Sequence, residues 1–160
     1  MAKRSPILAV GEFAPDFALT DQYGKMRNLS EFLGKWLLLY FYPKDNTPGC
    51  TTEACSIRDI WDDFKKLGIE VVGISTDSVE SHKKFAEKHN LPFTLLSDPD
   101  KEAVQKYGVW GIKSFMGKSF LGTRRTSFLI NPQGKIEKVY EKVNPQRHAE
   151  EVLQDIQALI

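Results

Sequence analysis

Residues 36 to 42 are apolar without interruption, from Trp36 through three leucines to Tyr42, and Pro43 follows at once. A run with no polar alternation is the pattern of a strand covered on both faces. It is far shorter than the roughly 20 residues needed to cross a bilayer. Such a strand belongs to the interior of a sheet that has layers packed above and below it, and the rest of the chain must supply those layers.

The flanking sequence alternates accordingly. Ile69–Thr76 and Phe93–Ser97 read as two further buried strands. A helical segment from about Cys50 to Leu67, stopped by Gly68, separates the first pair. Asp77 and Glu80 resemble a capping box for a second helix that ends near Asn90 and Pro92. Pro99 opens a short helix stopped by Gly108, and a loop with four glycines follows (Gly108, Gly111, Gly117, Gly122). Strands over about Arg124–Ile130 and Lys135–Glu141 flank the turn Asn131–Gly134. Asn144 and Pro145 start a last helix with Val152, Leu153, Ile156, Leu159 and Ile160 on its apolar side. Upstream, Phe17–Leu29 reads as a hairpin turning at Asp21–Gly24, and Ser30 caps a short helix ended by Gly34. Strand–helix alternation predicts parallel pairing, and the closing hairpin adds antiparallel strands. The prediction is one α/β domain over residues 1–160, with a mixed central sheet and helices on both faces. This order fits a thioredoxin-like fold carrying an N-terminal β-hairpin extension, among other α/β arrangements.

Charge narrows the partners. The 22 basic and 21 acidic residues leave a net charge of +1, so no electrostatic case exists for nucleic acid or an anionic membrane. The basic pair Lys3 and Arg4 is followed by no long apolar stretch, and Glu12 interrupts before a secretory signal forms. The expectation is a soluble protein of a reducing compartment, the cytoplasm. Only two cysteines occur, Cys50 and Cys55, too few and too close for the disulfide framework of a secreted domain. The three histidines, His82, His89 and His148, are too distant in sequence to complete a zinc site with them. Spacing alone leaves redox chemistry and passive thiols both open.

A helical wheel places the two sulfurs differently. At about 100° per residue, Ala54, Ile57, Trp61 and Phe64 fall within roughly 40° of Cys50, so Cys50 opens the apolar stripe. Cys55 lies about 140° away, towards the charged face. A thiol at a helix start meets free amide N–H groups and the positive end of the helix dipole, which favour its anion, the reactive form. Residues five apart on an intact helix have Cα atoms roughly 8.5 Å apart. A disulfide needs less than about 7 Å. Any bond between Cys50 and Cys55 therefore requires the helix start to unwind.

The segment before Cys50 carries the strongest signal. Pro43, Thr47 and Cys50 match the pattern Pro-x-x-x-Thr-x-x-Cys, which resembles the motif of the peroxiredoxins, and Glu53 matches an acidic position often seen just after it. The stretches Tyr40–Lys44, Gly73–Asp77, Gly108–Gly111 and Ser127–Ile130 resemble the subgroup called bacterioferritin-comigratory protein or peroxiredoxin Q. The similarity runs from about Leu8 to the C-terminal helix.

That resemblance implies a thiol-dependent peroxidase acting on hydrogen peroxide and organic hydroperoxides. It assigns Cys50 as the attacking (peroxidatic) cysteine and Cys55 as the resolving one, which closes an intramolecular disulfide after local helix unwinding. Thr47 and backbone amides would bond the peroxide oxygens, and Pro43 would shield the sulfur. Arg125, three residues before Phe128, matches the family's arginine from a distant strand, while the adjacent Arg124 points to the opposite face. Glu53 reads equally as the group orienting Arg125 and as a carboxylate favoured by the helix dipole. The implied reductant is thioredoxin or a glutaredoxin, and the implied state is a monomer. No cofactor is implied: no metal, haem or flavin. His82, His89 and His148 read as structural or solvated. Trp110, Phe115 and Phe120 read either as the lining of a substrate entrance or as packing. On the residues alone, a thiol–disulfide oxidoreductase and a redox-sensing binding protein stay open as alternatives.

Overall fold

The computed structural model describes residues 7–160, so Lys3 and Arg4 lie outside the described residues. At its centre is β3 (Trp36–Phe41), parallel to β4 (Ile69–Ser75) on one side and antiparallel to β8 (Thr126–Ile130) on the other. β4 pairs in parallel with β5 (Thr94–Ser97). The N-terminal hairpin, β1 (Ala18–Asp21) and β2 (Met26–Asn28), joins antiparallel along β5, and β9 (Ile136–Tyr140) completes the far edge against β8. The seven-stranded order is β2-β1-β5-β4-β3-β8-β9, a mixed sheet as the alternation predicts.

β3 shows why its run is apolar throughout. Leu38, Tyr40 and Tyr42 point into one core with Cys50, Ala54, Ile57, Phe64, Phe85, Val152 and Ile156. Leu37, Leu39 and Phe41 point into the other, with Phe17, Leu29, Val104, Tyr107 and Phe128. Helices α1 (Pro48–Asp59), α2 (Trp61–Lys66), α3 (Val79–His89) and α5 (His148–Leu159) therefore cover one face, and α4 (Glu102–Lys106) with the N-terminal segment covers the other. Full burial of one such side chain contributes about 1.5–3 kcal/mol.

Several expected boundaries move. The four-glycine loop is instead a second, separate sheet, the antiparallel pair β6 (Trp110–Phe115) and β7 (Lys118–Thr123). Met116 and Gly117, both at positive φ (52° and 77°), form its two-residue turn, and Gly111 pairs with Gly122 across the ladder. The helix expected over Cys50–Leu67 begins at Pro48 and divides at Ile60, where the backbone leaves helical geometry (φ −116°, ψ 23°). Asn28, not Ser30, caps the first short helix (Leu29–Phe32), in a reciprocal box with Glu31. Ser78, not Asp77, caps α3: its hydroxyl accepts from Ser81 N at 3.1 Å. Asp98 takes the amides of Glu102 and Val104, so α4 starts three residues after Pro99. Asn144 forms a turn ahead of α5, with its side chain accepting from Gln146 N and its carbonyl from His148 N. Leu159 and Ile160 end up exposed.

Candidate active site

Strand pairing decides which residues meet. Phe41, near the end of β3, pairs with Thr126 at the start of β8, which brings Arg125 to the mouth of the loop leaving β3. That loop runs from half-buried Pro43 to Thr47, whose extended backbone (φ −86°, ψ 153°) is the N-cap of α1. Pro48, first in the helix, has a φ preset for that position. The first helical bond runs from Thr51 N to Thr47 O at 2.9 Å, so the amides of Gly49 and Cys50 lie ahead of the helical ladder.

Cys50 sits in this first turn and is 2% exposed. Arg125 reaches it from across the sheet: Nη2 donates to Sγ at 3.4 Å, and Nη1 donates to Glu53 Oε1 at 2.9 Å. Glu53 is one turn beyond Cys50 on the same helix face and is 1% exposed. Burial raises its carboxyl from an ordinary 4.5 to about 7, with the charge and hydrogen bond of Arg125 pulling the other way. Burial works against the Arg125 charge, but the negative charges of Cys50 and Glu53 outweigh it and raise its pKa. Tyr40 lies under the same group; its phenol is pushed well above the usual range by burial, then by Glu53 and Cys50. Lys113, on β6, donates to Thr123 O at 3.0 Å. Burial and then Arg125 lower its pKa, and the charge of Cys50 opposes them.

The Thr47 hydroxyl donates to Lys44 O at 2.8 Å, which leaves its lone pairs free to accept. Arg124 turns the other way, its Nη2 donating to Ile112 O at 3.4 Å. Cys55 is half-buried on the same continuous helix as Cys50, and both thiols are free. The structure thus gathers Cys50, Arg125 and Glu53, with Thr47 and Pro43 on the adjoining loop, and leaves Cys55 apart from Cys50. Trp110 stacks under Lys101 Nζ (5.4 Å to the ring centre), and Phe120 is exposed on β7. The Phe115 side chain lies outside the described residues.

The histidines are structural in more specific ways than the sequence conveys. His148 is buried, its Nδ1 facing Glu151 Oε1 at 3.2 Å and its Nε2 facing Ser127 Oγ at 2.7 Å, and burial lowers its pKa. His89 packs edge-on against Phe85. His82 is 0% exposed and bonds Asp45, a residue of the Cys50 loop that sequence reasoning passed over. Asp45 lies 37 positions from its partner, so no periodic signal links the two.

A thiol at a helix start and within reach of a guanidinium is an arrangement that can serve nucleophilic chemistry. The relatives of this chain fit that chemistry. Residues 10–139 match the AhpC/TSA family. Peroxiredoxin Bcp of Escherichia coli (strain K12) is 51% identical over 146 residues, covering 91% of this chain and 94% of that one. The crystal structure of a cysteine-to-serine mutant of Xylella fastidiosa PrxQ superposes with a TM-score of 0.91 at 33% identity, over 97% of this chain and 99% of the other. The Xanthomonas campestris bacterioferritin comigratory protein superposes with a TM-score of 0.84 at 37% identity, over 89% and 91%. The fold is the thioredoxin-like one of these peroxiredoxins. With about half its residues shared with one such protein and its sheet laid over those of two others, the chain belongs to the AhpC/TSA family, as a peroxiredoxin of the bacterioferritin-comigratory protein or peroxiredoxin Q subgroup.

Proposed function

We propose that this peroxiredoxin reduces hydrogen peroxide and organic hydroperoxides with Cys50 and resolves the product with Cys55. The observation that carries the proposal is the bridge made by Arg125, with one nitrogen 3.4 Å from Cys50 Sγ and the other 2.9 Å from Glu53. The thiolate attacks one peroxide oxygen; an S–O bond forms, the O–O bond breaks, and the other oxygen leaves as hydroxide or alkoxide and takes up a proton. Charge moves from sulfur to the leaving oxygen. Arg125 Nη2 and the amides of Gly49 and Cys50 are the donors for that shift. Thr47 already donates to Lys44 O, so it accepts from the peroxide O–H. Glu53 keeps the guanidinium in register, and Pro43 limits water at the sulfur. A Xanthomonas campestris relative is associated by name with alkyl peroxide reduction, which supports including organic hydroperoxides.

Cys55 then attacks the Cys50 sulfenic acid. Because α1 is continuous from Pro48 to Asp59, its first turn must open, breaking the Thr51 N–Thr47 O bond and the Thr52 Oγ1–Pro48 O bond. A thiol reductant regenerates the pair by disulfide exchange, and we assign that role to thioredoxin or a glutaredoxin. We further propose a cytoplasmic monomer with one domain over residues 1–160. Two cysteines five residues apart are too few and too close for a secreted disulfide framework, which supports a reducing compartment.

Mass spectrometry after one equivalent of peroxide tests the proposal. The expected product has lost two hydrogens and carries a Cys50–Cys55 link. Cys55→Ser consumes one equivalent and does not turn over with thioredoxin. Peroxide consumption by Cys50→Ser at the wild-type rate would overturn the assignment.

A further inference from the structure

Asp45 lies midway between the end of β3 and Cys50, and it is 5% exposed. Its carboxylate accepts from Tyr42 OH at 2.6 Å and from Ser81 Oγ at 2.7 Å, and it faces His82 Nδ1 at 2.7 Å. Its own amide donates to Asp77 Oδ2 at 2.8 Å, an oxygen that also takes the Ser75 hydroxyl at 2.6 Å. The other ring nitrogen of His82, Nε2, is 2.9 Å from Leu96 O. A carbonyl oxygen can only accept, so Nε2 carries a proton. Nδ1 faces a carboxylate oxygen, so a second proton lies between His82 and Asp45 and joins them by a charge-assisted bond. Asp45, Asp77 and His82 approach closely enough to resemble a cation site, but protein partners already occupy the ligand atoms.

The mechanism assigns none of these residues, yet they hold the loop it depends on. Asn46, next in the chain, adopts a left-handed backbone (φ 60°), which asparagine tolerates better than most L-residues. It is held between the fixings of Asp45 on one side and the Thr47 hydroxyl bond to Lys44 O on the other. Pro48 and the first turn of α1 follow directly. Asp45 thus ties the segment that must open for resolution to α3 and β5, neither of which has to move.

We propose that the Asp45–His82 pair is a latch on the Pro43–Cys50 loop: a positioning device that sets how readily the first turn of α1 unwinds once Cys50 is oxidised. The proposal rests on the Cys50–Cys55 resolution described above. The sulfenic acid has two fates. In resolution the Cys55 thiolate forms the S–S bond, the S–O bond breaks, and hydroxide leaves and is protonated to water. In overoxidation a second hydroperoxide passes one oxygen to the Cys50 sulfenate; its O–O bond breaks, an alcohol or water leaves, and a sulfinic acid remains. A tight latch slows the first fate and prolongs exposure to the second. Releasing it favours the disulfide.

The test compares wild type with His82→Asn and with the milder Ser81→Ala, each pulsed with excess hydrogen peroxide, quenched with an alkylating agent and analysed by mass spectrometry. Amide hydrogen exchange of residues 46–55 is measured in parallel on the reduced proteins. Loss of a hydrogen bond to a charged group changes a local equilibrium by about tenfold or more. His82→Asn is therefore expected to raise the disulfide-to-sulfinic ratio about tenfold and to speed exchange in 46–55 by a similar factor, with Ser81→Ala shifting both the same way by less. A general loss of stability would speed exchange throughout the sheet instead. If His82→Asn does not fold, Ser81→Ala decides alone. Wild type that forms the disulfide, beside a folded variant with unchanged ratio and unchanged local exchange, overturns the latch and leaves the resolution chemistry standing. Wild type that forms no Cys50–Cys55 disulfide overturns both.

Discussion

Gly49 and Arg125 share one space: a Cβ built on residue 49 would lie 2.9 Å from Arg125 Nη2, the atom that donates to Cys50. The guanidinium is the movable end of a long side chain, so it gives way and the backbone does not. Gly49→Ala is thus expected to leave the fold intact, with up to about 1 kcal/mol gained from the helix preference of alanine over glycine. Oxidation of Cys50 by hydrogen peroxide, followed by stopped flow, should slow by roughly tenfold or more as the donor is displaced. A full wild-type rate in the variant would mean that the contact between Nη2 and the sulfur does not contribute to catalysis.

Arg125→Lys tests the fork itself. Arginine spans Cys50 and Glu53 with two nitrogens of one rigid plane, at 3.4 and 2.9 Å. An ammonium is a point donor and does not reproduce that geometry. The peroxide step should fall by about 10²–10³, the usual consequence of removing one preorganised donor from a developing oxyanion, and should fall nearly as far as in Arg125→Ala. Retention of most of the rate by lysine would show that charge alone suffices.

The parts of this site carried by local periodicity were legible in the sequence. The unbroken run 36–42 announced the central strand, and the stripe Ala54, Ile57, Trp61 and Phe64 put Cys50 on the buried side of its helix; Cys50, Ala54 and Ile57 are buried on α1, while past the break at Ile60 Phe64 is buried and Trp61 half-buried on α2. Arg125 was reachable only through the resemblance, since nothing local marks a strand-end arginine as the partner of a sulfur 75 positions away. The β6–β7 hairpin was missed because glycines at 111 and 122 read as loop signals, whereas the two face each other across a ladder. Asp45 and His82 were missed for a different reason. A carboxylate in a polar loop and a histidine near a helix's apolar edge look ordinary until the parallel packing of β3, β4 and β5 brings the loop onto α3.

Gly73 on β4 pairs with Tyr40 on β3, and a Cβ there would come within 2.7 Å of Tyr40 Cζ and 2.8 Å of its hydroxyl oxygen. Tyr40 is fully buried, stacks on Tyr42 with ring centres 5.5 Å apart and meets Phe93 edge-on at 6.1 Å. Its ring has nowhere to go. Gly73→Ala should therefore destabilise the protein by about 1–3 kcal/mol, the range for overpacking a dense core, read as a lower urea midpoint at unchanged slope. An unchanged midpoint would show that the ring shifts freely, contrary to its packing.

Glu53 makes stability depend on pH in a direction opposite to that of most carboxylates. Burial raises its folded-state value to about 7, above an ordinary 4.5. The folded protein then holds this proton more tightly than the unfolded chain does. Its contribution is fully present below about pH 4.5 and is lost as pH rises through about 7. Glutamine mimics the protonated form at every pH and still accepts from Arg125 Nη1. His148, whose lowered pKa works in the opposite sense, is common to both proteins and drops out of the comparison. Relative to wild type, Glu53→Gln should gain on the order of 3 kcal/mol between about pH 4 and about pH 8, measured by urea unfolding at each pH. A difference between the two proteins that stays flat over that range would show that Arg125 keeps the carboxylate ionised despite its burial.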